Sequence, residues 1–408
     1  MIPLRLDEVA ALCPGRLERA GAEEITGAVI DSRRVRPGDL FVAVGGGTAF
    51  LDDARARGAA ATLVPKDAFA ELGALGRVVR ERSDARVVGI TGSTGKTSTK
   101  DILAALCRGQ ARTVAAEASF NNELGVPLTL CRLEPDTEVC VLELAMRGLG
   151  QIAELCEIAR PDVGVITNVG PAHLELVGSL ENVLRAKSEL IESLPPGGVA
   201  VVPEELPVAR DDVEVLRVGR PDAEVLDGRT RIRLDGREVE FDFSARHQAQ
   251  NALAALYALR ALGLEPPTSV HVELSRWRGD EVELPGGGLL INDAYNANPI
   301  SMRAALEHLV ERAAGRRAVA VLGEMAELGS GGPGYHREIG ELAARLGVGV
   351  IGVGALAREY GAAHWAGDAE EAARIAPGLV EPGDVVLVKA SRVAGLEAVA
   401  EALAAVNA

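Results

Sequence analysis

Apolar and polar positions follow two different periods along most of this chain. From about residue 85 onward, short apolar runs predict buried strands, and between them apolar residues recur every three or four positions, which predicts amphipathic helices. Strands and helices that alternate in this order are typical of a mostly parallel sheet covered by helices. The predicted strands are 86–90, 138–144, 162–168, 289–293, 318–322, 348–353 and 385–389, and the clearest predicted helix is 97–107.

Two other stretches have their own patterns. Before residue 85, short strands and an alanine-rich helix predict a small leading domain; its strands are 25–31, 39–44 and 60–64. Between 214 and 243 the apolar period falls to two around an Asp235-Gly236 turn, which predicts a β-hairpin attached to the central sheet as an antiparallel appendage.

The 408 residues are enough for two to four domains at roughly 150 residues each. We therefore predict an α/β fold of three domains. These are a small N-terminal α/β domain at 1–84, a central phosphate-loop domain with a mostly parallel sheet at 85–276, and a Rossmann-like C-terminal α/β domain at 277–408.

A glycine-rich loop connects the first central strand to its helix. It reads T-G-S-T-G-K-T, and the first glycine of the general phosphate-loop pattern is replaced by Ile90. In such a loop, backbone amides surround nucleotide phosphates, Lys96 reaches their outer oxygens and the hydroxyl of Thr97 binds Mg²⁺. A chance glycine-serine turn is the alternative reading. The loop predicts ATP binding by Thr91, Gly92, Ser93, Thr94, Gly95, Lys96, Thr97 and Ser98.

Composition and charge exclude several classes of protein. A net charge of −16 disfavours a nucleic-acid partner, which would need a basic face. The five cysteines are odd in number and widely spaced, so we expect buried thiols rather than disulfides or a metal cluster. The chain has no apolar run of about 18 residues and no signal-like start, which predicts a cytoplasmic protein without stable membrane association.

Lysine is rare: only five of the 43 basic residues are lysine. Lys187 follows Val183 by four positions on a predicted apolar helix face that also includes Leu180, Leu184, Leu190 and Ile191. Burial there would lower its pKa, and a neutral amine can add CO₂ to become an anionic carbamate, an oxygen ligand for a hard cation. The alternative is a lysine whose head reaches water. For Lys66 and Lys100 we expect no more than compositional drift.

Further motifs give the chain a resemblance to the Mur ligases of bacterial cell-wall synthesis, along essentially its whole length. The discriminating string is D-A-Y-N-A-N-P at 293–299. The others are D-S-R at 31–33, P-G-D-L-F-V-A at 37–43, F-N-N-E-L-G-V-P at 120–127, E-L-A at 143–145, T-N-V-G-P-A-H-L-E at 167–175, A-K-S-E at 186–189, L-G-E-M-A-E-L-G at 322–329 and V-K-A-S-R at 388–392.

The resemblance implies an enzyme. Members of this family use ATP to phosphorylate a substrate carboxylate, after which an amine displaces phosphate from the acyl phosphate and an amide forms. Within the family, the chain is most similar to members that join D-alanyl-D-alanine to UDP-N-acetylmuramoyl-tripeptide, which implies these two substrates and a monomeric enzyme of peptidoglycan synthesis. A sibling amide ligase, either another Mur ligase or a folylpolyglutamate synthetase, and a phosphate-loop ATPase switch remain as alternatives.

The resemblance also implies roles for single residues. Lys96, Glu143, His173 and Lys187 would be catalytic. Thr97 and Glu143 would bind one Mg²⁺, and His173 with carbamylated Lys187 a second, where Mn²⁺ could substitute. Further ATP contacts would come from Asn251, Asp293 and Lys389. Substrate contacts would come from Ser32, Arg33, Asn121, Asn122, Glu123, Asn296, Asn298 and Arg392.

Three departures from the family pattern affect these expectations. The family's G-x-H-N-x-x-N reads A-R-H-Q-A-Q-N at 245–251, which affects the expected adenine contacts. Ala390 stands where glycine is usual, and the loop at 45–50 is short, which affects the expected uridine contacts. Because ATP would span the second and third domains, we also expect the domains to close over it.

Overall fold

The computed structural model describes residues 1–226 and 228–405. Position 227 of the predicted period-two stretch and the last three residues of the predicted third domain therefore lie outside the described residues. The α/β fold class is confirmed: most strands lie in parallel sheets with helices packed against them.

The leading region contains two small sheets. A four-stranded sheet has the order β2-β6-β5-β4, and β1 pairs with β3. The predicted strand at 25–31 is in fact two short strands, because the chain changes sheet after Ile25. The elements are β1 Leu4–Arg5, α1 Leu6–Leu12, β2 Arg16–Arg19, β3 Glu24–Ile25, β4 Gly27–Val29, β5 Asp39–Val42, α2 Leu51–Ala56, β6 Ala61–Val64 and α3 Ala68–Glu81.

A six-stranded sheet with the order β12-β11-β10-β7-β9-β8 forms the centre of the chain, and every pair in it is parallel. Parallel strands place their carboxyl ends at one edge, where ligands collect in open α/β sheets. The elements are β7 Arg86–Thr91, α4 Lys96–Cys107, β8 Thr113–Ala115, α5 Gly125–Leu130, β9 Val139–Glu143, α6 Gln151–Ala159, β10 Val163–Ile166, α7 Leu174–Val177, α8 Leu180–Glu192, β11 Val199–Pro203 and β12 Glu214–Val218.

The predicted hairpin is present, with its turn at Asp235 and Gly236. Among the described residues, however, it belongs to a separate four-stranded sheet with the order β13-β14-β15-β16, and no strand pairing continues it into the central sheet. Its inner side chains join the apolar core of the central sheet and α9 instead. These elements are β13 Asp222–Leu226, β14 Arg229–Leu234, β15 Arg237–Phe241, α9 Gln248–Ala261 and β16 Ser269–Val270.

The C-terminal region is a second six-stranded sheet with the order β17-β18-β22-β19-β20-β21. Only β17 is antiparallel to its neighbour, and neither β17 nor the short β21 was expected from the apolar pattern. The elements are β17 Asp280–Leu284, β18 Gly288–Asp293, α10 Pro299–Ala313, β19 Ala318–Gly323, α11 Gly332–Arg345, β20 Gly349–Val353, β21 His364–Ala366, α12 Ala369–Ile375, β22 Val385–Lys389 and α13 Glu397–Ala405.

The leading region is attached to the central one through a shared core. The apolar faces of α1 and α3 belong to the same cluster as those of α5, α6 and α8. Gly76 of α3 lies so near Pro127 of α5 that a β-carbon would meet its Cα at 2.8 Å. This close approach packs α3 of the leading region directly against α5 of the central one.

The five cysteines, all among the described residues, are buried and form no disulfide, as the spacing predicted. Burial raises the pKa of each of their thiols to about 12. None of the helices within 1–226 and 228–405 combines the length and apolar character needed to cross a membrane.

The loop between β7 and α4 depends on glycine at two positions. Gly92 has a φ of 153° and Gly95 a φ of 79°, both in the region that favours glycine. A β-carbon on Gly92 would lie 1.9 Å from Oγ1 of Thr167. That hydroxyl is held in place, since it donates to the backbone oxygen of Thr94 at 2.5 Å.

We expect Gly92→Ala to distort this loop, because the added methyl group cannot be accommodated by a pinned threonine. The strain should cost roughly 1–3 kcal/mol, and the rise in melting temperature on adding Mg-ATP should be lost. Gly109→Ala is the matched control, since a β-carbon there would meet nothing within 4 Å. Thermal unfolding with and without Mg-ATP checks this, and an unchanged nucleotide response in Gly92→Ala would contradict it.

Candidate functional site

A cavity of about 700 Å³ opens where the carboxyl ends of the central strands face the C-terminal region. The side chain of Phe69, from the leading region, also lines it. The predicted site residues that line this cavity are Ser93, Thr94, Gly95, Lys96, Thr97, Ser98, Asn121, Asn122, Glu123, Glu143, His173, Asn251, Asp293, Asn296, Asn298 and Lys389.

The phosphate loop is held from outside by the segment that follows β10. The backbone N–H of Thr94 donates to Oδ1 of Asn168 at 3.0 Å, and Nδ2 of Asn168 donates to Oγ1 of Thr94 at 2.8 Å. The hydroxyl of Ser93 donates to the backbone oxygen of Gly170 at 2.9 Å. These contacts fix the loop before any ligand binds, which is the preorganisation that phosphate recognition needs.

Lys96 begins α4, and its Nζ donates to the backbone oxygen of Gly92 at 2.8 Å. Its ammonium group therefore lies across the loop, within reach of phosphate oxygens held there. Burial lowers the pKa of Lys96, and the nearby Glu143 opposes that shift.

Thr97 and Glu143 lie side by side at the edge of the central sheet. Oγ1 of Thr97 donates to Oε2 of Glu143 at 2.6 Å, and Nδ2 of Asn121 donates to Oε1 of the same carboxylate at 2.8 Å. Hydroxyl and carboxylate oxygens are donors that Mg²⁺ prefers, and Mg²⁺ keeps several waters or phosphate oxygens. This donor pair fits Mg²⁺, although within the described ranges no cluster of three or more histidine, cysteine or acidic side chains could hold a metal alone.

Lys187 lies on α8 with only 2% of its surface exposed. Burial lowers the pKa of Lys187 well below its usual value, and the charge of Lys96 lowers it further. Its amine makes no hydrogen bond or ion pair with any residue that the structure describes. Lys187 does not line the cavity itself. On the same helix Leu180, predicted on the buried face, is 51% exposed, because it occupies the first turn of the helix.

His173 lies directly before α7 and contacts the C-terminal region. Its Nδ1 is 2.5 Å from Oε2 of Glu327. Burial is the largest cause that lowers the pKa of His173. The charges of Lys96 and, to a smaller extent, Lys187 lower it further. The charge of Lys96 thus lowers the pKa of both His173 and Lys187.

Two hydrogen bonds arrange the part of the C-terminal region that faces this edge. Nζ of Lys389 donates to Oδ2 of Asp293 at 2.6 Å, since the two residues face each other in the pairing of β22 with β18. Asn298 caps α10 through its Oδ1, and its Nδ2 donates to the backbone oxygen of Ser93 in the phosphate loop at 3.2 Å. The bond from Asn298 to Ser93 therefore joins the C-terminal region to the phosphate loop.

The start of α9 forms another wall. Nδ2 of Asn251 donates to Oε1 of Gln248 at 2.8 Å, and Nε2 of Gln248 donates to Oγ of Ser98 at 3.4 Å. Gln248, one of the departures noted above, thus orients Asn251 at the phosphate loop. Burial lowers the pKa of the neighbouring His247 to about 3, so this ring is neutral.

Several predicted residues lie outside the cavity lining. Ser32 is buried, whereas the side chain of Arg33 is 82% exposed and pairs with Asp31 at 2.8 Å. The guanidinium of Arg392 stacks 4.3 Å above the ring of Trp277. Thr91 and Gly92 also lie outside the lining, and the backbone oxygen of Gly92 accepts from Lys96.

Sequence reasoning did not identify Arg278, which lines the cavity from the connection between the central and C-terminal regions. Its guanidinium lies 4.2 Å above the ring of Tyr295, and its Nε is buried without a hydrogen-bond partner among the described residues. In a chain where arginine replaces lysine almost everywhere, nothing in the pattern distinguishes this arginine from a surface one.

Lys100 has a structural role, contrary to the expectation that its presence reflects only compositional drift. It is 2% exposed, and its Nζ donates to the backbone oxygens of Ala116 at 2.7 Å and Ala118 at 3.2 Å. It therefore holds the segment that leads to Asn121. Lys66, in contrast, is exposed.

Comparison with known proteins supplies an independent finding. The profile described as "Mur ligase middle domain" matches residues 90–259, and that described as "Mur ligase, glutamate ligase domain" matches 277–392. The UDP-N-acetylmuramoyl-tripeptide–D-alanyl-D-alanine ligase of Mycobacterium bovis is 35% identical, over 99% of this chain and 98% of that protein.

Two solved structures are similar over nearly their whole length. A crystal structure of MurF from Acinetobacter baumannii has a TM-score of 0.84 and 28% identity, and covers 98% of this chain and 99% of its own. The MurF ligase of Thermotoga maritima, solved in complex with ADP, has a TM-score of 0.76 and 30% identity over 92% of this chain and 96% of its own. With both family profiles matched and full-length relatives at this identity, the chain belongs to the Mur ligase family.

Proposed function

We propose that this protein is the ATP-dependent ligase that adds D-alanyl-D-alanine to UDP-N-acetylmuramoyl-tripeptide, releasing ADP and phosphate and giving the pentapeptide precursor of peptidoglycan. The observation that carries the proposal is the cavity, in which a phosphate loop, a carboxylate-hydroxyl pair and the C-terminal Lys389 face one space. The Mycobacterium bovis relative named for this reaction aligns with 99% of the chain.

The chemistry explains why these groups share one cavity. A carboxylate is a poor acyl donor because it would have to expel oxide. Transfer of the γ-phosphoryl group of ATP to the carboxylate forms an acyl phosphate and ADP. The amine of D-alanyl-D-alanine then attacks the acyl carbon, phosphate leaves with one former carboxylate oxygen, and the nitrogen loses a proton as the amide forms.

The residues of the phosphate loop would bind the nucleotide. Backbone amides from Gly92 to Thr97 and the ammonium of Lys96 would offset the charge that develops on the transferred group, which is mainly a matter of position and electrostatics. Asn251, Asp293 and Lys389 would contact the nucleotide from α9 and the C-terminal sheet. The hydrogen bond between Asn298 and Ser93 supports a closed arrangement that excludes water from the acyl phosphate.

Mg²⁺ would be held at two places. Thr97 and Glu143 would hold the first ion, and His173 with carbamylated Lys187 the second, at which Mn²⁺ could substitute. The carbamate would form when the neutral amine of Lys187 adds CO₂ and releases one proton. The lowered pKa of Lys187 and its unpartnered amine support this step. Bound Mg²⁺ supplies charge neutralisation for the phosphates and the activated carboxyl group.

The substrates would enter from the leading region. Asn121, Asn122 and Glu123 line the same cavity as Phe69, which supports a path for the peptide. Ser32 and Arg33 would meet the uridine end, and Asn296 and Arg392 the incoming dipeptide. We further propose a cytoplasmic monomer, since ATP, a nucleotide-sugar substrate and five thiols all suit that compartment.

The decisive assay follows ADP formation from ATP with UDP-N-acetylmuramoyl-tripeptide present. We expect ADP formation to require D-alanyl-D-alanine, and single amino acids to replace it poorly, because the amine attack consumes the acyl phosphate. A sibling ligase would prefer a single amino acid. ATP hydrolysis at the same rate without any acceptor would indicate an ATPase switch and contradict the proposal.

Lys187→Ala tests the carbamate. We expect turnover to fall about 100-fold or more, because a charged ligand beside the transferring group is lost. A small carboxylic acid should restore part of it, whereas bicarbonate alone should not. In the unaltered chain, ¹³CO₂ should give a carbamate signal in the ¹³C NMR spectrum that Lys187→Ala lacks.

The matched control for that experiment is Lys66→Ala, which removes the exposed lysine and should leave both turnover and the carbamate signal unchanged. Full turnover in Lys187→Ala, or the same carbamate signal in it, would show that the carbamate is not required.

A further inference from the structure

The contact between His173 and Glu327 lies at the edge of the cavity, and the proposed mechanism has not used it. Nδ1 of His173 lies 2.5 Å from Oε2 of Glu327. The backbone N–H of Glu175 donates to the backbone oxygen of Glu327 at 3.0 Å, so the two segments are joined twice. The residues are 154 positions apart and belong to the central and C-terminal regions.

Both partners have unusual backbones. His173 has a φ of 56° and Glu327 a φ of 61°, in the left-handed region that non-glycine residues rarely adopt. Such conformations persist only where the surroundings enforce them, and they concentrate at functional sites. Here each one turns its side chain toward the other.

The segment that carries Glu327 is fixed independently of His173. The backbone N–H of Met325 donates to Nε2 of buried His336 at 3.0 Å, and the backbone N–H of Ala326 donates to Oγ of Ser391 at 2.9 Å. Ser391 also donates its own backbone N–H to the oxygen of Glu324 at 3.0 Å. The carboxylate is therefore presented by a rigid segment tied to the strand that ends at Lys389.

We propose that Glu327 is a positioning residue for His173, which sets the tautomer and orientation of the imidazole when the two domains meet. An ionised carboxylate only accepts, so Nδ1 carries the proton and Nε2 keeps its lone pair. A histidine that binds a metal through one nitrogen commonly donates from the other to a carboxylate, and loss of that partner weakens metal binding. Because Glu327 reaches His173 only when the domains meet, domain closure also completes the second cation site.

This inference rests on the proposed role of His173 as a cation ligand, but its first readout does not need a metal or turnover. The full chain labelled with ¹⁵N histidine contains six histidines, and comparison with His173→Gln identifies the signals of His173. We expect protonated Nδ1 and unprotonated Nε2 in the unaltered chain, and a mixture of tautomers in Glu327→Ala. Glu327→Gln should retain the bias in part, since an amide oxygen still accepts.

The second readout is Mn²⁺ binding, followed by electron paramagnetic resonance with a non-hydrolysable ATP analogue. In Glu327→Ala we expect one of two Mn²⁺ ions to bind 10–100-fold more weakly, with the other unchanged. The turnover number should fall while the KM for ATP stays the same. Glu338→Ala, at an exposed position on α11, is the matched control and should change none of these.

Three outcomes would overturn the inference. They are a His173 that carries its proton on Nε2 in the unaltered chain, a tautomer unaffected by Glu327→Ala, and unchanged affinity for both Mn²⁺ ions. A Glu327→Ala variant that opens in solution scattering with its tautomer intact would make Glu327 a clamp only. Failure of the proposed function is recognised separately, as ADP formation that ignores D-alanyl-D-alanine in the unaltered chain.

Discussion

The arrangement of this protein depends on basic side chains whose burial beside a parallel sheet disfavours their charged forms. Burial lowers the pKa of Lys96, His173 and Lys187, and the charge of Lys96 lowers the pKa of the other two further. Such groups are costly to bury unless anions accompany them. Under the proposed function, nucleotide phosphates would supply anions for Lys96, and the neutral Lys187 would itself become an anion as the carbamate.

The C-terminal region supplies the second half of the site when it closes against this edge. The hydrogen bond from Asn298 to Ser93 and the contact between His173 and Glu327 both join the C-terminal region to the central one. The register of β18 and β22 places Asp293 beside Lys389 on the same side. A site assembled from two domains can admit large substrates while open and exclude water from an acyl phosphate while closed.

Local sequence patterns alone predicted much of this fold and site. The apolar periods predicted three strands of the central sheet, β7, β9 and β10, and four of the C-terminal sheet, β18, β19, β20 and β22. The phosphate loop followed from its motif, whereas helix spacing left open whether the amine of Lys187 is buried or reaches water. The hairpin was also predicted, but not its separate sheet, because sheet membership depends on tertiary packing. The short edge strand β21 and the polar β17 carry too little apolar signal to be recognised.

What sequence reasoning missed depends on contacts between distant segments. Glu327 meets His173 across 154 positions, and no local pattern encodes that pairing. Arg278 was missed because arginine is abundant in this chain. The role of Lys100 was missed because this residue lies outside any recognised motif. Each of them acts through a partner that only the folded chain brings near, namely His173, Tyr295 and the backbone of the 116–118 segment.

The central claim is that this pocket activates a carboxylate by transferring phosphate to it. The most direct test uses UDP-N-acetylmuramoyl-tripeptide labelled with ¹⁸O in its terminal carboxylate, and mass spectrometry of the phosphate released during ligation. The account predicts one ¹⁸O atom in each phosphate, because the acyl phosphate is broken between carbon and the former carboxylate oxygen. Phosphate without the label, formed alongside the amide product, would contradict it.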